Sequence, residues 1–260
     1  MKRIAVHDYF GYDIPMNERY KLIREAGFDG VMLGWAGFPD NPDETKHQNP
    51  ELARKNGLQI ENLHTPFTGA NNFWLDNIDG DEYFNIQMSC LADCERYKVP
   101  AMVLHINQGL NPPPINAIGL ERLRRLVGKA EDSGVYLAFE NMRNMMHLRY
   151  ILNNIKSEQV RFCYDSGHQN CRTPNEDLLS EFGDKLIAMH LHDNNGLEDE
   201  HKLPFDGTIS WKDVMQKIKI SGFAGTISIE VINNGYENLQ PCEFLKLAYK
   251  RAEKLRSMVN

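Results

Sequence analysis

Residues 186–194 read LIAMHLHDN. An apolar run of strand length ends on two imidazoles, and side chains two apart on a strand share a face, so His190 and His192 can look at the same point. A strand entering a buried core gains nothing by finishing on imidazoles unless other groups meet them there. The same signature recurs along the chain. Apolar runs stand at RIAVH (3–7), GVMLGW (30–35), QIENLH (59–64), AMVLH (101–105), VYLAFE (135–140), VRFCYD (160–165), LIAMHLH (186–192) and TISIEV (226–231). Several are continuously apolar rather than alternating, as strands covered on both faces are.

Helical patterns fill the gaps. Phe84, Met88 and Leu91 form one stripe, and Phe244, Leu247, Ala248, Ala252 and Leu255 form another. Thr173-Pro174 followed by Glu176 reads as a helix start, and Ser210 reads as the cap of a helix over WKDVMQKI. Gly27, Gly57, Gly134 and Gly222 each sit where a helix should stop before a strand. Eight strand-then-helix units within 260 residues predict an α/β fold: one (β/α)8 TIM barrel domain spanning 1–260. A doubly wound sheet would carry a glycine-rich phosphate loop after its first strand, and VHDYFGYDI (6–14) is not one.

The composition narrows the function. A net charge of −7 gives no general affinity for nucleic acid or anionic membranes. The one dense basic stretch, LERLRRLVGK (120–129), reads as a helix whose arginines form a solvated face. Five scattered cysteines do not make a disulfide framework, and Cys90 and Cys94 read as packing residues rather than metal ligands. No signal peptide and no apolar run of membrane-spanning length is evident, so a cytoplasmic location is expected.

The last residue of each strand carries the chemistry. His7, His64, His105, Glu140, Asp165, His190 and Glu230 end or nearly end their runs, and in a barrel those ends form one rim, where active sites sit. Carboxylates rarely enter a core unless paired or bound to metal. Glu140, Asp165, His190 and Glu230 mix hard oxygens with one imidazole. That set suits one divalent ion (Mn²⁺, Zn²⁺, Co²⁺ or Mg²⁺), leaves positions open for substrate and excludes a thiolate site. Asp165 with His168, and Asp199 with His201, are further pairs at ligand spacing, although Asp199-Glu200-His201 also reads as an exposed acidic loop.

Together these residues resemble the xylose isomerase-like barrel superfamily, which holds sugar phosphate isomerases and epimerases and the endonuclease IV (AP endonuclease family 2) branch. The matching pieces are HTP (64–66), VLHINQG (103–109), FEN (139–141), CYDSGH (163–168), HLHDNN (190–195), DEH (199–201) and SIEV (228–231). In the epimerase branch the resemblance implies metal ligands at Glu140, Asp165, His190 and Glu230 and a substrate-binding role for His168. In the endonuclease branch it implies three zinc ions on His64, His105, Glu140, Asp165, His168, His190, Asp199, His201 and Glu230. The sequence departs from the family where a Pro-Gly-x-Gly turn is common: it reads Pro204-Phe205-Asp206-Gly207, which leaves the place of His201 open. His192 falls on a position the family does not use for metal. Dimers or tetramers are common in the family.

Charge favours sugar chemistry. Glu140, Asp165, Asp199 and Glu230 outweigh one divalent ion, which suits a neutral sugar, whereas three zinc ions would suit a phosphodiester. The rim stretches 34–50 and 71–84 are aromatic but acidic, which makes nucleic acid an unexpected partner. The expected activity is a metal-dependent carbohydrate isomerase or epimerase, of the ketose 3-epimerase or aldose–ketose isomerase type. Proton transfer would run through a metal-bound enediolate, with Glu140 and Glu230 as the proton carriers. His64, His105, His168, His201 and Trp35 are expected to contact a sugar or polyol, with Phe38, Phe67, Phe73 and Trp74 as further apolar walls. The stretch 231–241 has no Lys or Arg, which points to an unphosphorylated substrate. The alternatives are the trinuclear zinc phosphodiesterase and a non-catalytic sugar-binding barrel.

Overall fold

The structure, a computed structural model, describes residues 1–36 and 45–259. Eight strands among them are β1 (Ile4–His7), β2 (Gly30–Gly34), β3 (Gln59–His64), β4 (Ala101–Leu104), β5 (Tyr136–Glu140), β6 (Val160–Asp165), β7 (Leu186–His190) and β8 (Ile227–Ile229). All pair in parallel, each with its neighbour in sequence, and β1 also pairs with β8. A parallel bridge between Leu191 and Ile229, just past the end of β7, brings the two edges together. The sheet is thus a nearly closed (β/α)8 barrel.

The outer helices are α1 (Met16–Ala26), α2 (Asn49–Lys55), α3 (Ile78–Tyr97), α4 (Ala117–Ser133), α5 (Met146–Asn154), α6 (Ser166–Arg172), α7 (Leu178–Phe182), α8 (Trp211–Ile220) and α9 (Pro241–Val259). Their apolar faces join the outer faces of the strands in one core. Cys90 and Cys94 are buried in that core and form no disulfide. The four stop glycines all take positive φ, between 70° and 113°, a region an L-residue enters only at a cost. No helix among the described residues is long and apolar enough to cross a membrane.

Two local expectations are corrected. Thr173-Pro174 does not start a helix. It follows α6 as a turn, and α7 begins at Leu178 with Asp177 accepting from Ser180 N; Glu176 is taken instead by Arg149 at 2.6 Å. The arginines of 120–129 are not all solvated. Arg122 is buried and donates to the carbonyls of Phe73 and Leu75 at 2.9 and 2.7 Å and to Asp81 at 2.7 Å, so it ties α4 to the loop before α3.

Two glycines in α4 give a paired prediction. A Cβ on Gly119 would lie 2.0 Å from Trp74 Cε3, whereas a Cβ on Gly128 meets nothing within 4 Å. Alanine adds up to ~1 kcal/mol of helix propensity at either site, but forcing a methyl into a packed contact costs ~1–3 kcal/mol. Gly128→Ala should therefore raise the melting temperature and Gly119→Ala should lower it, each by roughly 2–4 °C per kcal/mol for a chain of this size. Thermal denaturation of the two variants checks this, and a shift of the same sign for both would contradict the packing at Trp74.

Candidate active site and metal centre

The cup is built by the two-residue period of the strands. Val103, Ala138, Cys163 and Ala188 form a layer of small side chains inside the barrel. Two residues on, the same faces of β5, β6 and β7 carry Glu140, Asp165 and His190, and His105 follows directly after β4. Small residues below leave room for the larger ionisable ones above. Glu140, Asp165, His190, His105 and His64 are all buried.

These side chains converge on Glu140. Its Oε2 lies 3.0 Å from His105 Nε2, 3.3 Å from His64 Nε2 and 3.3 Å from His190 Nδ1; its Oε1 lies 3.1 Å from His168 Nδ1. His190 Nδ1 is also 2.9 Å from Glu230 Oε2. Burial alone would raise the pKa of Glu140, but the imidazoles around it, His190 and His105 foremost, outweigh burial and hold it well below the usual carboxylate range. Glu230 is depressed in the same way, against burial, chiefly by His190. Burial acts against a charged His190 ring, yet the field of its neighbours, including Glu230 and Glu140, lifts its pKa well above the ordinary value. Below it, burial pushes the Cys163 thiol up to about 12 and keeps it neutral.

Asp165 is held on every side. Its backbone N donates to Asn141 Oδ1 at 2.7 Å, and Asn141 Nδ2 donates to its carbonyl at 2.9 Å. Its carboxylate caps α6 by accepting from His168 N at 2.6 Å, and His192 Nε2 stands 3.1 and 3.2 Å from its two oxygens. The His192 ring lies directly on Gly167, where a Cβ would come within 1.9 Å of Cε1. His192 therefore braces Asp165 from behind rather than facing the cavity.

The outer edge of the cup comes from the loop after β7. Asp193 organises that loop by accepting from Asn194 N, Phe205 N, Ile209 N and Trp211 Nε1 at 2.7–3.1 Å. The loop carries Asp199, whose Oδ2 receives His168 Nε2 at 3.0 Å and Arg172 Nη2 at 2.6 Å. His201 stacks on His192 with ring centroids 4.0 Å apart, and its Nδ1 lies 3.1 Å from the Glu230 carbonyl. The departure from Pro-Gly-x-Gly has a visible cost: Phe205 has φ 77°, a conformation a bulky side chain adopts only when its surroundings hold it. The loop hydrogen bond to Asp193 and Lys254 Nζ, 3.8 Å over the Phe205 ring, supply that hold. His201 is thus brought into the cup without the glycine.

A cavity of about 370 Å³ opens above these groups, with Glu140, Asp165, His168, Asp199, His201 and Glu230 in its wall, together with His64 and His105. A second, of about 250 Å³, shares His64, Phe67, His201 and Glu230 with it and continues to Trp35, Tyr9 and Ile232. Of the aromatic walls expected from sequence, Phe67 lines both cavities and Trp35 the second. Phe73 and Trp74 do not reach either; they are buried, with Trp74 Nε1 on the Ile106 carbonyl at 2.6 Å. Phe38 lies outside the described residues. The sequence reading missed Asn141, Asp193, Arg143 and Arg172. The two arginines line the first cavity. They come from the loop after β5 and from the end of α6, not from 231–241.

The donor set fits a divalent cation. Ligand atoms of His64, Glu140 and His190 lie within 4.8 Å of one another, as do those of Glu140, Asp165 and His168, and those of Asp165, His190 and Glu230. His190 Nδ1 stands against the Glu230 and Glu140 carboxylates without well-directed hydrogen-bond geometry, and its Nε2 is buried with no hydrogen-bond partner, which costs free energy unless something else satisfies it. A mixed oxygen and imidazole set is what borderline and hard divalent ions take.

Residues 20–252 match the family described as xylose isomerase-like TIM barrel. The chain belongs to that family. Within the xylose isomerase-like barrels, it is 24% identical to fructoselysine 3-epimerase of Escherichia coli O157:H7 over 244 residues, covering 84% of this chain and 86% of that one. Two uncharacterised relatives, from Sinorhizobium fredii and Methanocaldococcus jannaschii, are 34% and 36% identical, but the matches span only 35% and 63% of their lengths. Among solved structures, D-psicose 3-epimerase from Clostridium cellulolyticum H10, solved with D-tagatose, superposes with a TM-score of 0.78 at 13% identity, covering 97% and 99% of the two chains. The IOLI protein with a bound zinc atom gives a TM-score of 0.78 at 17% identity, covering 99% of each chain. Those two likenesses are of fold.

Proposed function

We propose that the protein is a divalent-metal-dependent epimerase or isomerase of a ketose or related polyol, which moves a proton at the carbon next to a carbonyl. One observation carries this reading. Two carboxylates from different strands, Glu140 and Glu230, approach one imidazole nitrogen, His190 Nδ1, at 3.3 and 2.9 Å in the wall of a sugar-sized cavity. Proton removal and return at one carbon needs two such groups around one point. The relation to fructoselysine 3-epimerase and the fold shared with D-psicose 3-epimerase support the substrate class.

Glu140, Asp165, His190 and Glu230 would hold the ion, as the bound zinc of the IOLI protein also suggests. When bound, a divalent ion supplies Lewis-acid stabilisation of negative charge developing on a substrate oxygen. The chain's own groups do the rest. Glu140 and Glu230, kept ionised by the surrounding imidazoles, are available to take the proton. If one removes it and the other returns it on the opposite face, the product is the epimer; return to the neighbouring carbon isomerises. His105 and His64 fix the Glu140 carboxylate from one side, and Phe67 offers an apolar surface to the sugar. His168 has both ring nitrogens within hydrogen-bonding distance of protein oxygens, so it orients Glu140 and Asp199 in the cavity wall.

All nine residues of the trinuclear zinc alternative gather in the same cup, but Arg172 already occupies the Asp199 carboxylate. That charge leaves the phosphodiesterase reading the weaker one. The test is direct. The protein, loaded with Mn²⁺ or Zn²⁺, is incubated with D-fructose, D-psicose, D-tagatose or their phosphates in deuterated water. Deuterium should enter at the carbon beside the carbonyl of at least one of them, read by NMR. Cleavage of abasic DNA with no exchange into any ketose would reverse the order of the two readings.

A further inference from the structure

We infer that Arg172 is a resident cation that closes the outer group of the cup, His168, Asp199 and His201, to a second metal ion, and so limits the centre to one. This inference rests on the metal-centre reading above. The outer group has a ligand-like composition: Asp199 Oδ2 is 3.0 Å from His168 Nε2 and 3.8 Å from His201 Nε2, and its Oδ1 is 3.6 Å from His192 Nε2. One carboxylate ringed by three imidazoles is a donor set that zinc and its neighbours take readily. Asp199 Oδ1 is buried and makes no hydrogen bond, so part of this carboxylate is still unsatisfied.

Two features keep a cation out. The first is Arg172. It follows His168 by four residues on α6, which places both on one helix face, and its Nη2 contacts Asp199 Oδ2 at 2.6 Å. A guanidinium does not lose its proton at any working pH, and this pair is largely buried, with the two side chains 19% and 21% exposed, so solvent screens it little. An incoming ion would have to displace a fixed positive charge and would feel its repulsion until it did.

The second is the stacking of His192 on His201. Their planes are within 10° of parallel, with centroids 4.0 Å apart. Imidazole nitrogens bind metal in the ring plane at about 2.0–2.1 Å, so two stacked rings cannot share one ion. His192 cannot swing out to change this, because Asp165 holds its Nε2 and Gly167 lies against its face. Ligand atoms of His192, Asp199 and His201 do lie within 4.8 Å of one another, but the stacking bars the two rings from one ion; what is left around Asp199 is His201 with His168, 3.8 and 3.0 Å from its Oδ2, and Arg172 sits on that same oxygen. Arg172 does not carry protons or bind the first ion; it sets how many ions the cup holds.

The test counts metal. Wild type, Arg172→Gln, Arg172→Met and Arg172→Gln/Asp199→Asn are each exposed to excess Zn²⁺, desalted and measured by elemental mass spectrometry. Circular dichroism confirms that each variant is folded. The expected counts are one ion per chain for wild type, two for both single variants and one again for the double variant. A parallel Co²⁺ titration should show a second set of visible bands in the single variants alone. Single variants that remain at one ion overturn the inference and leave the metal-centre reading standing, as does wild type retaining two or more. An added ion that survives Asp199→Asn lies elsewhere and also overturns it. No retained ion in any of the four overturns both the inference and the reading it rests on.

Discussion

Glu230→Gln is expected to slow deuterium exchange into the substrate by ~10³-fold or more, within the range that positioned acid–base groups contribute. The amide preserves the volume and removes both the proton acceptor and the charge. Glu230 is the more open of the two carboxylates, 18% exposed against 1% for Glu140, and one imidazole holds it closely. The fold should therefore tolerate the change. Glu140→Gln should abolish exchange as well, but at a different structural price. Glu140 is the shared acceptor for His64, His105, His168 and His190, and breaking a buried charged network by removing one partner costs about 3–5 kcal/mol. The two variants should thus match in rate and differ in melting temperature, with Glu140→Gln the lower. Counting metal in each separates two causes of a lost rate: one retained ion assigns the loss to proton transfer, and a lost ion assigns it to ligation. Exchange that survives both substitutions removes these residues as proton carriers.

The architecture and the inner cup were readable because both follow from a single local rule. An apolar run that ends on an acid or histidine is a strand whose last side chain reaches a rim, and eight such runs separated by helix-length gaps close on themselves. The layer of Val103, Ala138, Cys163 and Ala188 beneath the ionisable residues is that rule seen from inside. What escaped the reading depends on loop geometry. Arg172 meets an aspartate 27 residues away, and Asp193 collects donors up to 18 residues further on, at spacings with no period. Arg122 hides in an apparently solvated basic stretch because the loop before α3 turns its free carbonyls toward it. Trp74 looked like a rim aromatic, yet Gly119 opens a seat for it in the core. His192 shared a strand face with His190 in prospect; in the fold it has moved behind Asp165, because the chain leaves β7 at His190.

Removing the divalent ion with EDTA is expected to lower the melting temperature by roughly 10 °C, since a ligand held at a thousand times its dissociation constant stabilises the native state by about 4 kcal/mol and a chain of this size shifts about 2–4 °C per kcal/mol. The size of the effect follows from where the donors sit. Glu140, Asp165 and His190 come from three adjacent strands, so an ion joining them staples β5, β6 and β7 at their ends. In the unfolded chain the same residues lie on separate segments and offer no preformed site. In the metal-free protein the carboxylates are balanced instead by raised-pKa imidazoles, which keep the cup folded without the staple. EDTA should therefore soften the protein without unfolding it at room temperature. His190→Ala should melt lower than wild type and lose nearly all sensitivity to EDTA, because the ring that links Glu140 to Glu230 is gone. Differential scanning calorimetry of the two proteins, with and without chelator and after restoring Zn²⁺ or Mn²⁺, gives the comparison. A wild-type transition that neither EDTA nor added metal moves would show that these carboxylates and imidazoles satisfy one another, and that no ion belongs in the cup.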